Sequence, residues 1–228
     1  MNRVLAVGAV CLSVVLLSSS DAKAGMFDAI KSIAPGGAAT GISKQDVQQF
    51  FDFSKKADDL QQSSVDKLAS MLLNKEESEQ IERELKAAQA VQDPKEKEAA
   101  IAKVHRDKAN TVEQAAKSKM GELKMASLDN NQKKLAGAAI SNLFLSTLAN
   151  KSALETAQGV LQKLKSSPAA AVSYATELPR IKDAVVALPG KIEKLFSIAN
   201  HLVKLAKSNN IAVTIPKSAS EKAQEVDI

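Results

Sequence analysis

Helix-start signals recur along this chain, and they constrain its class before composition is considered. Ser43 is followed three residues later by Asp46, Asn74 by Glu77, and Asp129 by Gln132. In each pair the first residue accepts a bond from a main-chain N–H of the opening turn. The second reaches back to the N–H of the first, so two groups that a helix start leaves orphaned are satisfied. Asp93-Pro94-Lys95-Glu96 adds a fourth start, with a cap, a first-turn proline and a carboxylate near the positive end of the helix dipole. The spacing predicts helices from Ser43 to about Asn74, Asn74 to about Gln92, Asp93 to about Ala126 and Asp129 to about Lys165. A fifth start is expected at Ser167-Pro168. The third and fourth would each be about 50 Å long.

Composition agrees. Only 3% of residues are aromatic and there is no tryptophan, while Ala, Lys, Leu, Ser and Gln dominate. Most of these lose little side-chain freedom in a helix. Ile211 to Ile215 is the one β-like run, and it is expected in an extended tail. The fold expected is all-α, an elongated antiparallel bundle of long, coiled-coil-like helices with a flexible N-terminal linker and C-terminal tail.

The clearest period lies near the C-terminus. Ile181, Val185, Leu188, Ile192, Leu195, Ala199, Leu202 and Ala206 recur with 4,3 spacing, which lays one apolar stripe along a helix. A break is expected near Pro179 and a kink at Pro189, where the stripe keeps its phase. The first helix has its own stripe, Val47, Phe50, Phe51, Ala57, Leu60, Leu68, Met71 and Leu72. The second and third carry few apolar residues among many charges and read as a flanking hairpin. The first, fourth and C-terminal helices are expected to form the core.

Ahead of the helices stands an export signal. Arg3 gives a positive start, Val4 to Leu17 an apolar run, and Ala22-Lys23-Ala24 a small-x-small cleavage site before Gly25. The run is too short for a stable membrane span. Residues 1–24 are thus expected to be a secretory signal peptide, 25–42 a short amphipathic segment plus a Gly-rich linker, 43–210 the bundle and 211–228 a flexible tail. The chain is expected to be exported, to the bacterial periplasm or beyond. Cys11, the single cysteine, falls inside the discarded run between Val10 and Leu12, so neither a lipid anchor nor a disulfide is expected to survive cleavage.

Much chemistry is absent from the inventory. His105 and His201 are the only imidazoles and stand in no metal-ligand spacing; His105 reads as a surface or seam residue and His201 as an interface one. There is no phosphate-binding Gly-x-x-x-x-Gly-Lys motif and no Gly-x-Ser-x-Gly nucleophile turn. Glu76, Glu77 and Glu79 read as a first-turn cluster favoured by the helix dipole. The formal net charge of +5 is spread among mixed signs with few aromatics to stack bases, which argues against nucleic acid. No enzyme, catalytic set, metal, cofactor or small-molecule substrate is expected.

Two segments bear on membranes. Gly25 to Ala34 places Met26, Phe27, Ile30 and Ile33 on one helical face, expected to dock on the protein's own core or on a membrane. Its Gly25-Met26-Phe27-Asp28 start is similar to short membrane-surface peptides that begin Gly-Leu-Phe-Asp. Leu135 to Ala149, including Leu143 and Phe144, is apolar on most sides. Such a helix is usually central in a bundle. The rival reading is a membrane-inserting segment sheathed in the soluble form, similar in architecture to helical pore-forming toxins.

The function expected from these observations is non-enzymatic. The chain would be an exported interaction or scaffold protein, with a holdase-like version, meeting a protein partner or itself through helix faces. A membrane-active or lipid-binding protein is the alternative, with a membrane surface as its partner, and an enzyme of unrecognised class, built on Ser, Lys or carboxylate chemistry, is the third reading.

Overall fold

The reciprocal starts at Ser43, Asn74 and Asp129 form as the spacing predicts. Ser43 Oγ accepts from Asp46 N at 3.1 Å while Asp46 Oδ2 accepts from Ser43 N at 2.9 Å, and Asn74 and Glu77 exchange the same pair at 2.8 Å. The structure is a computed structural model that describes residues 43–166 and 172–226. The expected signal peptide, the 25–42 segment and the Ser167-Pro168 start lie outside those residues. Within them the helices are α1 (Lys44–Leu72), α2 (Lys75–Gln89), α3 (Pro94–Lys117), α4 (Lys119–Ala126), α5 (Asn130–Ser166) and α6 (Leu178–Ser208). No strand forms among the described residues, and the long helices pack as a bundle.

Helix α5 runs through the middle. Its main helical neighbours are α1 and α6, and it lies antiparallel to both. The first half of α5, Ala136 to Phe144, packs with Val65 to Leu72 of α1 and Ile198 to Ala206 of α6. Its second half, Ala153 to Leu164, packs with Val47 to Phe51 and with Ile181 and Leu188. Burying each of these large side chains contributes about 1.5–3 kcal/mol. Helix α3 joins the first cluster through Ala109, Val112 and Ala116, whereas α2 buries only Ala88 and leans on α3. The flanking hairpin is therefore anchored through α3.

Two elements differ from the sequence reading. The expected third helix is two: Ser118 ends α3 and caps α4, its hydroxyl donating to Ala115 O at 2.7 Å and accepting from Gly121 N at 3.0 Å. Glycine is needed at 121 because a Cβ there would stand 2.0 Å from the Ala115 carbonyl oxygen. Helix α6 begins with Pro179 in its first turn and runs on through Pro189, the position of the expected kink. Pro189 cannot donate to the carbonyl one turn back, and it and Gly190 are both exposed.

The second difference is at the C-terminus. Helix α6 ends on Asn209 and Asn210, with Asn210 in the left-handed region (φ 54°). Ile211 N donates to Ala206 O at 2.9 Å and Asn210 N to Lys207 O at 3.3 Å, a Schellman-type end. Residues 211–226, expected as a free polar tail, instead form a non-helical strap that lies on the bundle, with Ile211, Ala219 and Val226 buried.

Candidate functional site

The apolar run of α5 and the residue that follows it carry five polar side chains, Ser141, Asn142, Ser146, Thr147 and Asn150, and all are buried. Unpaired, each would cost about 1–3 kcal/mol. Every one has a partner, and in each case the partner is main chain. Thr147 Oγ1 donates to Leu143 O at 2.9 Å and Asn150 Nδ2 to Ser146 O at 3.0 Å, both one turn back along α5. Ser146 Oγ reaches across to Ala57 O of α1 at 2.7 Å.

The other two hold the strap. Ser141 Oγ donates to Gly137 O at 2.8 Å and accepts from Thr214 N at 3.0 Å. The Asn142 carboxamide takes both groups of one strap residue, donating to Gln224 O at 2.8 Å and accepting from Gln224 N at 2.9 Å. Lys56 of α1 adds a cationic clamp, its Nζ donating to Ala219 O at 2.6 Å and Glu221 O at 2.8 Å. Gly137 completes the seat: a Cβ at this position would lie 2.1 Å from the Ala212 carbonyl oxygen.

The strap is a hook. It runs along α5 from Gly137 to Ser141, reaches the small cluster of Ala57, Ala149 and Ala219, then returns to Asn142. Glu221 holds the bend, its Oε1 accepting from Lys217 N at 2.5 Å and Ser218 N at 3.0 Å. Those bonds are internal to the strap. Beyond the Ile211 N–Ala206 O bond at the helix end, the five that join strap to body all engage strap main chain.

A second polar region lies where α1 meets α3 and α6. Asp58 Oδ1 accepts from Lys191 Nζ at 2.6 Å, and Asp66 Oδ1 accepts from Lys108 Nζ at 2.7 Å. A shallow cleft beside them is lined by Asp58, Gln61, Gln62, Val65, Asp66 and His105. Burial raises the Asp58 carboxyl above the usual range, against the pull of the Lys191 ammonium. Burial likewise holds the His105 imidazole below its ordinary value, the Asp66 carboxylate opposing and Lys108 adding to the effect. His105 is thus a seam residue. His201, expected at an interface, is exposed and bonds through Nδ1 to Ser197 O at 2.8 Å. Glu77 belongs to its capping box, and Glu79 lies between Lys75 and Arg83 at 3.7 and 3.8 Å. Among the described residues no group of three or more His, Cys, Asp or Glu converges to hold a metal ion.

The residues singled out in the sequence fall in three places. Met26, Phe27, Ile30 and Ile33 lie outside the described residues. Leu143 and Phe144, 1% and 5% exposed, are inside the main core rather than on a contact surface. In the α6 stripe Ile181, Leu188, Leu195 and Leu202 are buried, while Val185 and Ile192 are half-buried. Phe196 sits beside the stripe, half exposed, with its ring edge-on to Phe144 at 6.1 Å. Lys56, Gly137, Ser141 and Asn142 were not singled out. The available signal was a serine and an asparagine inside a run otherwise apolar, since a buried polar side chain requires a partner. No described helix is long and apolar enough to cross a membrane. No protein family, curated protein or solved structure matches this chain.

Proposed function

We propose that this chain is an exported, non-enzymatic protein of the bacterial envelope that works by contact, as a helical interaction or scaffold module. Holding unfolded envelope proteins is one form of that role. The observation that carries the reading is the set of large apolar side chains left on helix surfaces. Val186 of α6 is 77% exposed and Phe196 52%, and Met120 and Leu123, three apart on α4, share a further exposed face. Single exposed apolar residues are ordinary, but aromatic and methionine side chains at helix surfaces are the usual anchors of protein contacts. The export signal at residues 1–24 supports an envelope location.

The test uses the full chain produced in bacteria. Fractionation is expected to find it outside the cytoplasm, beginning at Gly25. The purified protein, at equal molar ratio, is expected to slow the aggregation of an unfolded β-barrel envelope protein on dilution from urea. A Val186→Ser, Phe196→Ser double variant is expected to lose that effect while keeping its helical circular dichroism. Flotation with anionic vesicles, or release of dye trapped in them, would overturn the contact reading in favour of a membrane-active one.

A further inference from the structure

We infer that the seat formed by Gly137, Ser141, Asn142 and Lys56 also receives the strap of a second copy of this chain, so that two molecules associate by exchanging residues 211–226. The inference rests on the contact reading above and names one partner for it.

Three observations support exchange. Beyond the helix-end bond from Ile211 N, the five bonds between body and strap all use strap main chain. A strap from another molecule carries the same groups in the same order and would recover every one of them, along with the buried Ile211, Ala219 and Val226. Next, the hook keeps its shape through its own bonds, Glu221 to Lys217 N and Ser218 N, so it can move as a unit. Last, a hinge lies where the strap leaves α6. Asn210 is the one non-glycine residue of the described chain with positive φ, at 54°. A side-chain-bearing residue prefers the right-handed and extended regions, so rotation at Asn210 into either redirects the strap away from its own body, giving up the Ile211 N–Ala206 O bond of the helix end. The exchange is isologous: each molecule gives a strap and receives one, which closes a two-fold dimer.

Two single-cysteine chains test this, each in a Cys11→Ser background, one Ala57→Cys and the other Ala219→Cys. These positions pack together with Ala149. Mixed at high concentration, incubated and then oxidised, they are expected to give a covalent heterodimer; a Val186→Cys chain, whose thiol is exposed, replaces Ala57→Cys as the collision control. Light scattering supplies the second readout. Asn210→Val disfavours the left-handed conformation and is expected to raise the dimer fraction by about tenfold over the parent, whereas Asn210→Gly lowers it. No heterodimer above the control, in a pair whose double variant closes within one chain, would overturn the inference. So would a monomer at every concentration for both the parent and Asn210→Val, whether or not the cysteines pair. Neither result touches the aggregation assay, so failure of strap exchange and failure of the contact reading are read separately.

Discussion

Helices α5 and α6 are both strongly apolar in sequence, and they spend that character differently. Helix α6 buries a stripe, Ile181, Leu188, Leu195 and Leu202, and leaves Lys182, Glu193 and Lys204 in solvent. Helix α5 is buried without interruption from Ala136 to Thr147. Such a run needs cover beyond two helical neighbours, and the strap supplies it. A helix apolar all round therefore does not require a ring of helices around it. A short non-helical segment suffices where small and polar residues on the helix let main chain approach closely.

The contrast can be broken at several points. The largest effect is expected for Leu143→Ala in α5, a loss of about 2–5 kcal/mol in unfolding free energy by urea titration, because the cavity cannot collapse between α1, α6 and the first half of α5. Val186→Ala in α6 is expected to change stability by less than about 0.5 kcal/mol in the same titration. Equal losses for the two would mean that α5 and α6 do not differ as described.

Asn142→Ala comes next, at about 1–3 kcal/mol, since it leaves the Gln224 N–H and C=O without their partner. Gly137→Ala sharpens the comparison differently. In an isolated helix alanine is favoured over glycine by about 1 kcal/mol. Here the added Cβ meets the Ala212 carbonyl, so hydrogen exchange at the Thr214 amide is expected to quicken while the α5 amides stay protected. Unchanged exchange at Thr214 would show that the strap does not depend on this close approach.

The smallest effect concerns pH. Burial lowers the His105 pKa from its ordinary 6.5, so the unfolded chain binds this proton more readily than the folded one. The contribution is fully present above about pH 6.5 and is lost as pH falls toward and through the folded value. The facing groups are Asp66, which favours the charged ring, and Lys108, which opposes it. Thermal melts between pH 7 and 5.5 are expected to fall slightly less steeply for His105→Gln than for the parent. Asp46 is held below its ordinary value, chiefly by the Ser43 N–H, so its proton is taken up on the acid side of this window.

Much of the helical frame was legible in advance. The starts at Ser43, Asn74, Asp93 and Asp129 were readable because a cap and its partner lie within three residues of each other. The α6 stripe was readable because one buried face leaves a period. The division at Ser118 was missed: Ser118 resembles many helix-interior serines, and only the approach of residue 121 to the Ala115 carbonyl shows why the chain turns. His201 was expected at an interface because it flanks the stripe, yet flanking positions can equally face solvent.

What the sequence determined alone is local or periodic: where helices start, which face of α6 turns inward, and that Leu135 to Ala149 must be covered. What only the tertiary structure decided is the nature of the cover. Lys56, Ser141 and Asn142 bind strap carbonyls and amides, groups that every residue except proline carries in full. Main-chain recognition therefore writes almost nothing into the strap's side chains. Its seat on α5 became visible only once residues some seventy to one hundred and sixty positions apart were brought within hydrogen-bonding distance.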